Sequence, residues 1–238
     1  MYKKSLLGMG LSVLCIGVGI CVNRWMPLAS RKDDLKSQEV MQERYIKTAF
    51  SQEKKNFYLS FRYPGNVPVT HTLIAFTSLA CHVCSAFHNE TFLKIQSSDL
   101  YTSGALRVIF VEYPADRVSF FSSGYVWACK NPGSARDRLM KNQSTWNFHN
   151  ESEQSAEKVE NLKLEKVKKI LKTSKTLSKK ELTTLFEKKM QAQKVFGITD
   201  VPFFVLYQPN RSKGNRIKTR VGEVEWDTFH LWLESSNP

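Results

Sequence analysis

The chain opens with an uncharged, mostly apolar run from Ser5 to Val22, preceded by Lys3 and Lys4. Such a run is long enough to span or nearly span a bilayer. From about Asp33 to Lys55 the sequence turns polar, with apolar residues at Leu35, Val40, Met41, Tyr45, Ile46 and Phe50, a spacing that predicts an amphipathic helix. Tyr63-Pro64-Gly65-Asn66 reads as a turn, and Thr70 to Phe76, with Leu73, Ile74 and Phe76, as a buried strand. Helical spacing returns from Ser85 to Ile95 through Phe87, Phe92, Leu93 and Ile95. A second apolar strand follows at Leu106–Val111, stopped by Tyr113-Pro114. Two strands separated by a helix predict a βαβ unit with parallel strands and a right-handed crossover.

From about Val118 to Phe196 the pattern is helical and polar, broken once at Pro132-Gly133, with Ser178-Lys179-Lys180-Glu181 reading as a capping box. Strand character resumes at Phe203–Tyr207 and near Ile217–Val221 across the turn-rich Gln208–Asn215, and Glu223–Glu234 closes as a helix. The expected order is therefore βαβ, a helical excursion, then ββα.

Composition refines this outline. A hydrophobic fraction of 42% and five tryptophans can fill a core without structural disulfides. The net charge of +13 invites a nucleic-acid reading. Much of it, however, lies between Lys158 and Lys189, where lysines alternate with Glu160, Glu165, Glu181 and Glu187 and aromatics are few. That pattern is a solvated helix surface. At the N-terminus an uncleaved anchor fits better than a cleaved signal, because Leu28-Ala29-Ser30 is a poor cleavage site. The expected organisation is a membrane-anchor or signal segment over residues 1–24, a helical linker over 25–56, and one α/β domain over 57–236 with a helical insertion at about 118–196.

Five cysteines are an odd set, and Cys81-His82-Val83-Cys84 is the one pair close enough to bond locally. It stands where the first strand runs into the first helix. A thiolate there is favoured by the helix dipole and by unpaired backbone N–H groups. A structural zinc site would need further ligands, and only His82 and His88 lie nearby; c-type haem attachment would need histidine at residue 85, which is serine. Cys129 reads as a small buried hydrophobe. Val201-Pro202 precedes the third strand, where a proline simply caps a strand or, as a cis bond beside Cys81, presents a backbone edge to an extended peptide.

Gly65-Asn66-Val67-Pro68-Val69-Thr70, Leu73-Ile74-Ala75-Phe76, Cys81–Cys84, Phe87-His88 and the loop Phe196–Phe204 together resemble the DsbA-like thiol–disulfide oxidoreductases. The resemblance covers about Tyr58 to Glu234. It implies a thioredoxin-like fold with a helical insertion, and an enzyme that needs no cofactor and no metal. It further implies Cys81 as nucleophile, Cys84 as resolving thiol, and Val201 with Pro202 as the substrate-binding edge. The implied partners are cysteine-containing exported proteins and a membrane redox protein, with no nucleic acid. The implied location is the bacterial inner membrane, single-pass, with the domain in the periplasm, or the periplasm itself if the N-terminal segment is cleaved.

Three features depart from that family's pattern. His82-Val83 replaces the frequent Pro-His or Pro-Tyr, leaving His82 as a candidate for tuning the Cys81 pKa. Ala75 and Ser78 stand where relatives carry an acidic residue, and the next strand's Glu112 is the acidic candidate, although such a residue is more often merely exposed at a strand end. Val201 before the proline favours an oxidase over an isomerase, in which threonine is frequent. The alternatives are a disulfide reductase or isomerase, and a copper- or zinc-binding metallochaperone on the same scaffold.

Overall fold

The structure, a computed structural model, describes residues 28–50, 57–65, 67–148, 155–222 and 225–235. The expected anchor and Asn66 of the expected turn lie outside these residues. Among the described residues no helix is long and apolar enough to cross a membrane.

A five-stranded mixed sheet forms the centre, built from β1 (Tyr58–Arg62), β2 (His71–Thr77), β3 (Leu106–Glu112), β4 (Phe203–Tyr207) and β5 (Ile217–Val221) in the order β1-β3-β2-β4-β5. β2 and β3 run parallel with Ile74 opposite Ile109, as the βαβ pattern requires. β4 runs antiparallel to β2, and β5 to β4. The sequence pattern does not foreshadow β1, which pairs antiparallel with β3 from Tyr58↔Val111 to Arg62↔Arg107. Its five residues alternate only weakly, and their strand character comes from the free edge of β3.

Strand periodicity divides the core into two layers. Leu73 and Ala75 of β2 face one side, where they meet Phe87, Phe92, Phe204 and Phe229; Ile74 and Phe76 face the other, against Tyr45, Phe196, Phe203 and Val205. The second layer recruits the helix from the segment expected as a linker. This helix, α1 (Leu28–Ala49), and the residue after it bury Tyr45, Ile46 and Phe50 against the sheet. Polar contacts fix its seat: the Tyr207 hydroxyl donates to Glu43 at 2.9 Å, Arg216 Nη1 lies 3.2 Å from the same carboxylate, and Gln42 donates to the Val195 carbonyl.

The helix after β2 is not uniform. α2 (His82–Ala86) passes through a π-helical turn at Phe87–Thr91 into α3 (Phe92–Gln96), followed by the single turn α4 (Asp99–Thr102). Five α-helical residues would set Phe87 and Phe92 about 140° apart. The wider turn, closed by the Phe92 N–H on the Phe87 carbonyl, lets both rings reach the same face of the sheet.

Between β3 and β4 stand α5 (Arg117–Ala128), α6 (Pro132–Lys141), α7 (Gln143–Trp146), α8 (Ala156–Leu171) and α9 (Lys179–Phe196). Pro132-Gly133 starts a helix rather than only breaking one: the Asn131 side chain accepts from the Ser134 N–H, and proline fits a first turn because its missing N–H is not needed there. Ser178 and Glu181 form the expected capping box, and Asp116 with Ser119 form a second, unexpected one. Gly124 on α5 is a close approach, since a Cβ there would meet Thr176 Oγ1 at 2.8 Å. Leu79, Cys84, Val126, Leu139, Met140, Trp146 and Val167 form the core between this excursion and the α2 end of the sheet.

Trp146 has no exposed surface, and its indole N–H donates to the Leu139 carbonyl at 2.9 Å. Trp146→Ala is expected to lower stability by about 3–5 kcal/mol, read as a lower urea midpoint at unchanged slope.

Candidate active site

Strand β2 ends at Thr77, and the chain bends through Ser78, Leu79 and Ala80 before Cys81 caps α2. The cap is a thiol: Cys81 is in extended backbone geometry, and its sulfur accepts the Cys84 N–H at 3.2 Å. Cys81 is half-buried, whereas Cys84, one turn later, has no exposed surface and packs in the third core cluster. Both are free thiols.

This asymmetry separates their acidities. The Cys84 thiol, as hydrogen-bond donor, is the largest influence on Cys81; partial burial opposes it, and the N–H groups of Cys84 and Val83 add to it. The Asp116 carboxylate works against ionisation, and the net result holds Cys81 down at about 7. At pH 7 such a thiol is about half ionised, against about three hundredths for an unperturbed one. Burial pushes the Cys84 thiol far up, and Cys81 raises it further both as hydrogen-bond partner and as negative charge. One sulfur is prepared to attack and the other is held as a neutral thiol.

The Val201–Pro202 peptide bond is cis, and it lies beside the cysteines although about 120 residues separate them in sequence. The Cys81 thiol donates to the Val201 carbonyl at 3.4 Å. Cys81, Cys84, Val201 and Pro202 are thus brought together at one end of the sheet. His82 and Val83 are exposed on the first turn of α2.

The excursion supplies residues that sequence reasoning misses. Gln143, at the start of α7, donates from Nε2 to the carbonyls of Leu79 at 2.7 Å and Cys81 at 2.9 Å. Asn147 donates to the Ala80 carbonyl at 2.7 Å. Two side-chain amides therefore hold the bend that carries Cys81. A glutamine and an asparagine in a polar helical stretch give no signal of such a role.

For Glu112, the acidic candidate, the strand-end reading requires a correction. Expected at an exposed strand end, it is 4% exposed, because α5 and α6 cover the end of β3. Burial pushes its carboxyl up to about 7, with Arg136 and the Ser123 hydroxyl pulling the other way. His88, weighed as a metal ligand, is also buried, with its two ring nitrogens engaged by Arg136 and Asp137 at 3.0 Å each. Among the described residues no group of three or more His, Cys, Asp or Glu side chains is gathered to hold a metal ion. Cys129 is half-buried rather than fully buried, and its thiol donates to the Tyr125 carbonyl at 3.3 Å.

Residues 62–219 match a protein family described as thioredoxin. No curated protein sequence matches the chain. Among solved structures the fold is similar to a single-residue variant of alpha-DsbA1 from Wolbachia pipientis, at 19% identity and a TM-score of 0.56, over 82% of this chain and 94% of that one. It is also similar to a linker-deletion mutant of ScsC from Proteus mirabilis, at 15% identity and a TM-score of 0.56, over 98% of both chains. A protein-disulfide isomerase from Novosphingobium aromaticivorans matches at 13% identity and a TM-score of 0.54, over 76% of this chain and 98% of that one. At these identities the likeness is one of fold, and it extends through the helical excursion.

The difference between the two sulfurs has a direct readout. Alkylation of the reduced protein by iodoacetamide should modify Cys81 with a rate that rises with pH to half its maximum near about 7, since only the thiolate reacts. Peptide mass mapping over the same range should find Cys84 unmodified.

Proposed function

Because the chain belongs to the thioredoxin family, we propose that it is a DsbA-like thiol–disulfide oxidoreductase that oxidises cysteine pairs of exported proteins through a Cys81–Cys84 disulfide. The observation that carries this reading is the pairing of an acidified, half-buried Cys81 at a helix N-terminus with a fully buried Cys84 one turn behind it.

In the oxidised enzyme a substrate thiolate attacks Cys81 Sγ. The bond to Cys84 breaks as the mixed disulfide forms, and Cys84 leaves with the electron pair. A second substrate thiol, its proton lost to water, then attacks the first substrate sulfur and releases Cys81 as a thiolate. The substrate gains a disulfide and the enzyme is left as a dithiol. A Cys81 pKa below that of an ordinary thiol makes it a better leaving group and favours the reduced enzyme, which shifts the disulfide in the oxidising direction. The Val201 carbonyl, next to Pro202 and accepting from the Cys81 thiol, has a second lone pair for the backbone of an extended substrate segment.

The finer assignments belong to the same reading. An apolar run of 18 residues from Ser5 to Val22 would anchor the domain to the inner membrane with the cysteines on the periplasmic side, close to a membrane partner that restores the disulfide. Val201 before the proline favours oxidation over isomerisation, and His82 lies on the exposed turn where an incoming substrate would meet it.

The test is equilibration with glutathione and peptide oxidation. A reduction potential near about −120 mV is expected for an oxidant, and one near about −270 mV would make the protein a reductase instead. Cys81→Ser should abolish dithiol peptide oxidation. Cys84→Ser, mixed with a disulfide-bonded peptide, should accumulate a mixed disulfide between Cys81 and the peptide, detected by mass. Full oxidase activity in Cys81→Ser would overturn the mechanism.

A further inference from the structure

Lysines crowd the helical excursion, and most of them face water on an exposed helix surface. Two on α8 are held instead against an aromatic ring. Lys166 Nζ lies 4.3 Å from the centroid of the half-exposed Phe148 ring, and Lys163 Nζ lies 5.7 Å from the same centroid. Lys166 Nζ also donates to the Thr145 carbonyl at 3.0 Å. The ring quadrupole attracts an ammonium at such distances, so these two side chains give up little further freedom when an anion meets them. Neither has an ion-pair partner among the described residues. The glutamates nearest to them on α8 are already taken: Glu160 by Arg117 and Glu165 by Lys168, each at 2.6 Å.

The pair stands on the rim of the active site. Phe148 directly follows Asn147, whose side chain holds the Ala80 carbonyl at 2.7 Å. Thr145 lies two residues after Gln143, which holds the carbonyls of Leu79 and Cys81. Standard bond lengths then put the Phe148 Cα within about 16 Å of the Cys81 Cα. Helix α8 follows the same rim, since its Glu160 reaches Arg117 on the first turn of α5 and Lys163 and Lys166 come three and six residues later. The charges along this rim do not cancel. Glu160 is neutralised by Arg117, and Asp116, which caps α5 through the Ser119 N–H, stands against two lysines.

We propose that Lys163 and Lys166, seated on Phe148, select substrates that carry acidic residues two to five positions from the reacting cysteine. The proposal deepens the oxidoreductase reading and rests on it. A polypeptide in extended form advances about 3.3 Å per residue, so a segment with its cysteine at Cys81 brings residues at that separation to the two ammonium groups. Rim charges of this kind act on encounter and orientation more than on the chemical step, which places the preference in kcat/KM rather than in kcat. A substrate with lysines at the same positions is repelled. The two cations are fixed at the edge of a site that must admit a polypeptide, which suits a carboxylate carried on the entering chain better than the plane of a membrane surface.

The experiment uses the oxidised full chain and three dithiol peptides of one sequence, with glutamate, glutamine or lysine at positions two to five from the reacting cysteine. At low ionic strength kcat/KM should fall in that order, with the glutamate peptide about 5-fold above the glutamine peptide, and the spread should collapse in about 0.5 M salt. In Lys163→Gln/Lys166→Gln the ratio of glutamate to glutamine peptide should drop to about 1, and in Lys163→Glu/Lys166→Glu the order should invert. Lys179→Gln/Lys180→Gln, which removes the same charge from the first turn of α9, should keep the wild-type order and so separates the rim from the net charge of the chain. An unchanged urea midpoint shows that each variant is folded. Equal kcat/KM for the three peptides, a wild-type order retained in Lys163→Gln/Lys166→Gln, or an equal loss of order in Lys179→Gln/Lys180→Gln would each overturn the proposal. So would a double variant that loses affinity for phosphatidylglycerol vesicles relative to phosphatidylcholine ones while keeping its peptide preference, because the pair would then serve a membrane surface. Failure of the wild type to oxidise any of the three peptides would instead overturn the oxidoreductase reading beneath it.

Discussion

The active-site bend depends on a problem of unsatisfied acceptors. After β2 ends, the carbonyls of Leu79 and Ala80 belong to neither a strand nor a helix, and a buried acceptor left unpaired costs about 1–3 kcal/mol. Gln143 and Asn147 meet that need with short hydrogen bonds from the helical excursion. The same glutamine also holds the Cys81 carbonyl. The excursion is therefore part of the site: its polar groups hold the bend, its apolar groups close over Cys84, and its Arg136 brings a charge beneath it. Without that grip, the orientation of the Cys81 sulfur toward the Val201 carbonyl would rest on α2 alone.

From this arrangement follows a division of labour between two sulfurs that lie one helical turn apart. The first meets N–H groups and partial solvent; the second meets hydrocarbon. Placing the pair across the boundary between the helix N-terminus and the core makes their difference a property of the backbone path rather than of the residues between them. His82 and Val83 project from the exposed side of that path, and the groups that act on Cys84 are Cys81, the Ser78 backbone N–H and Arg136 of α6.

Much of this is legible in the sequence. The βαβ start, the helical excursion and the last two strands all carry periodic apolar patterns, and Cys81–Cys84 and Val201-Pro202 are local motifs whose meeting follows from the family resemblance. What is hidden depends on partners distant in sequence. β1 becomes a strand because β3 offers it an edge. Glu112 ends a strand, and ends of strands are usually exposed; only the covering helices α5 and α6 bury it. Gln143 and Asn147 sit among many polar residues of similar type, and nothing local distinguishes an amide that faces a loop carbonyl from one that faces water. The apolar stripe of the helix at Leu28–Ala49 is plain in the sequence, but it gives no indication that Tyr207 and Arg216 seat the helix on the sheet.

The π-helical turn at Phe87–Thr91 constrains how this protein could change. Because the helix carries one more residue there than an α-helical turn would hold, its two ends are phased independently: one end aims Cys84 into the excursion's core, the other lays Phe92 and Ile95 on the sheet. Deleting a residue to regularise the helix would rotate one end relative to the other by about 100°. Either the thiol or the aromatic face would then lose its seat. The irregularity thus works as a phase adjuster between chemistry and scaffold, and single-residue length changes in this segment are closed to the lineage unless the contacts at both ends change together.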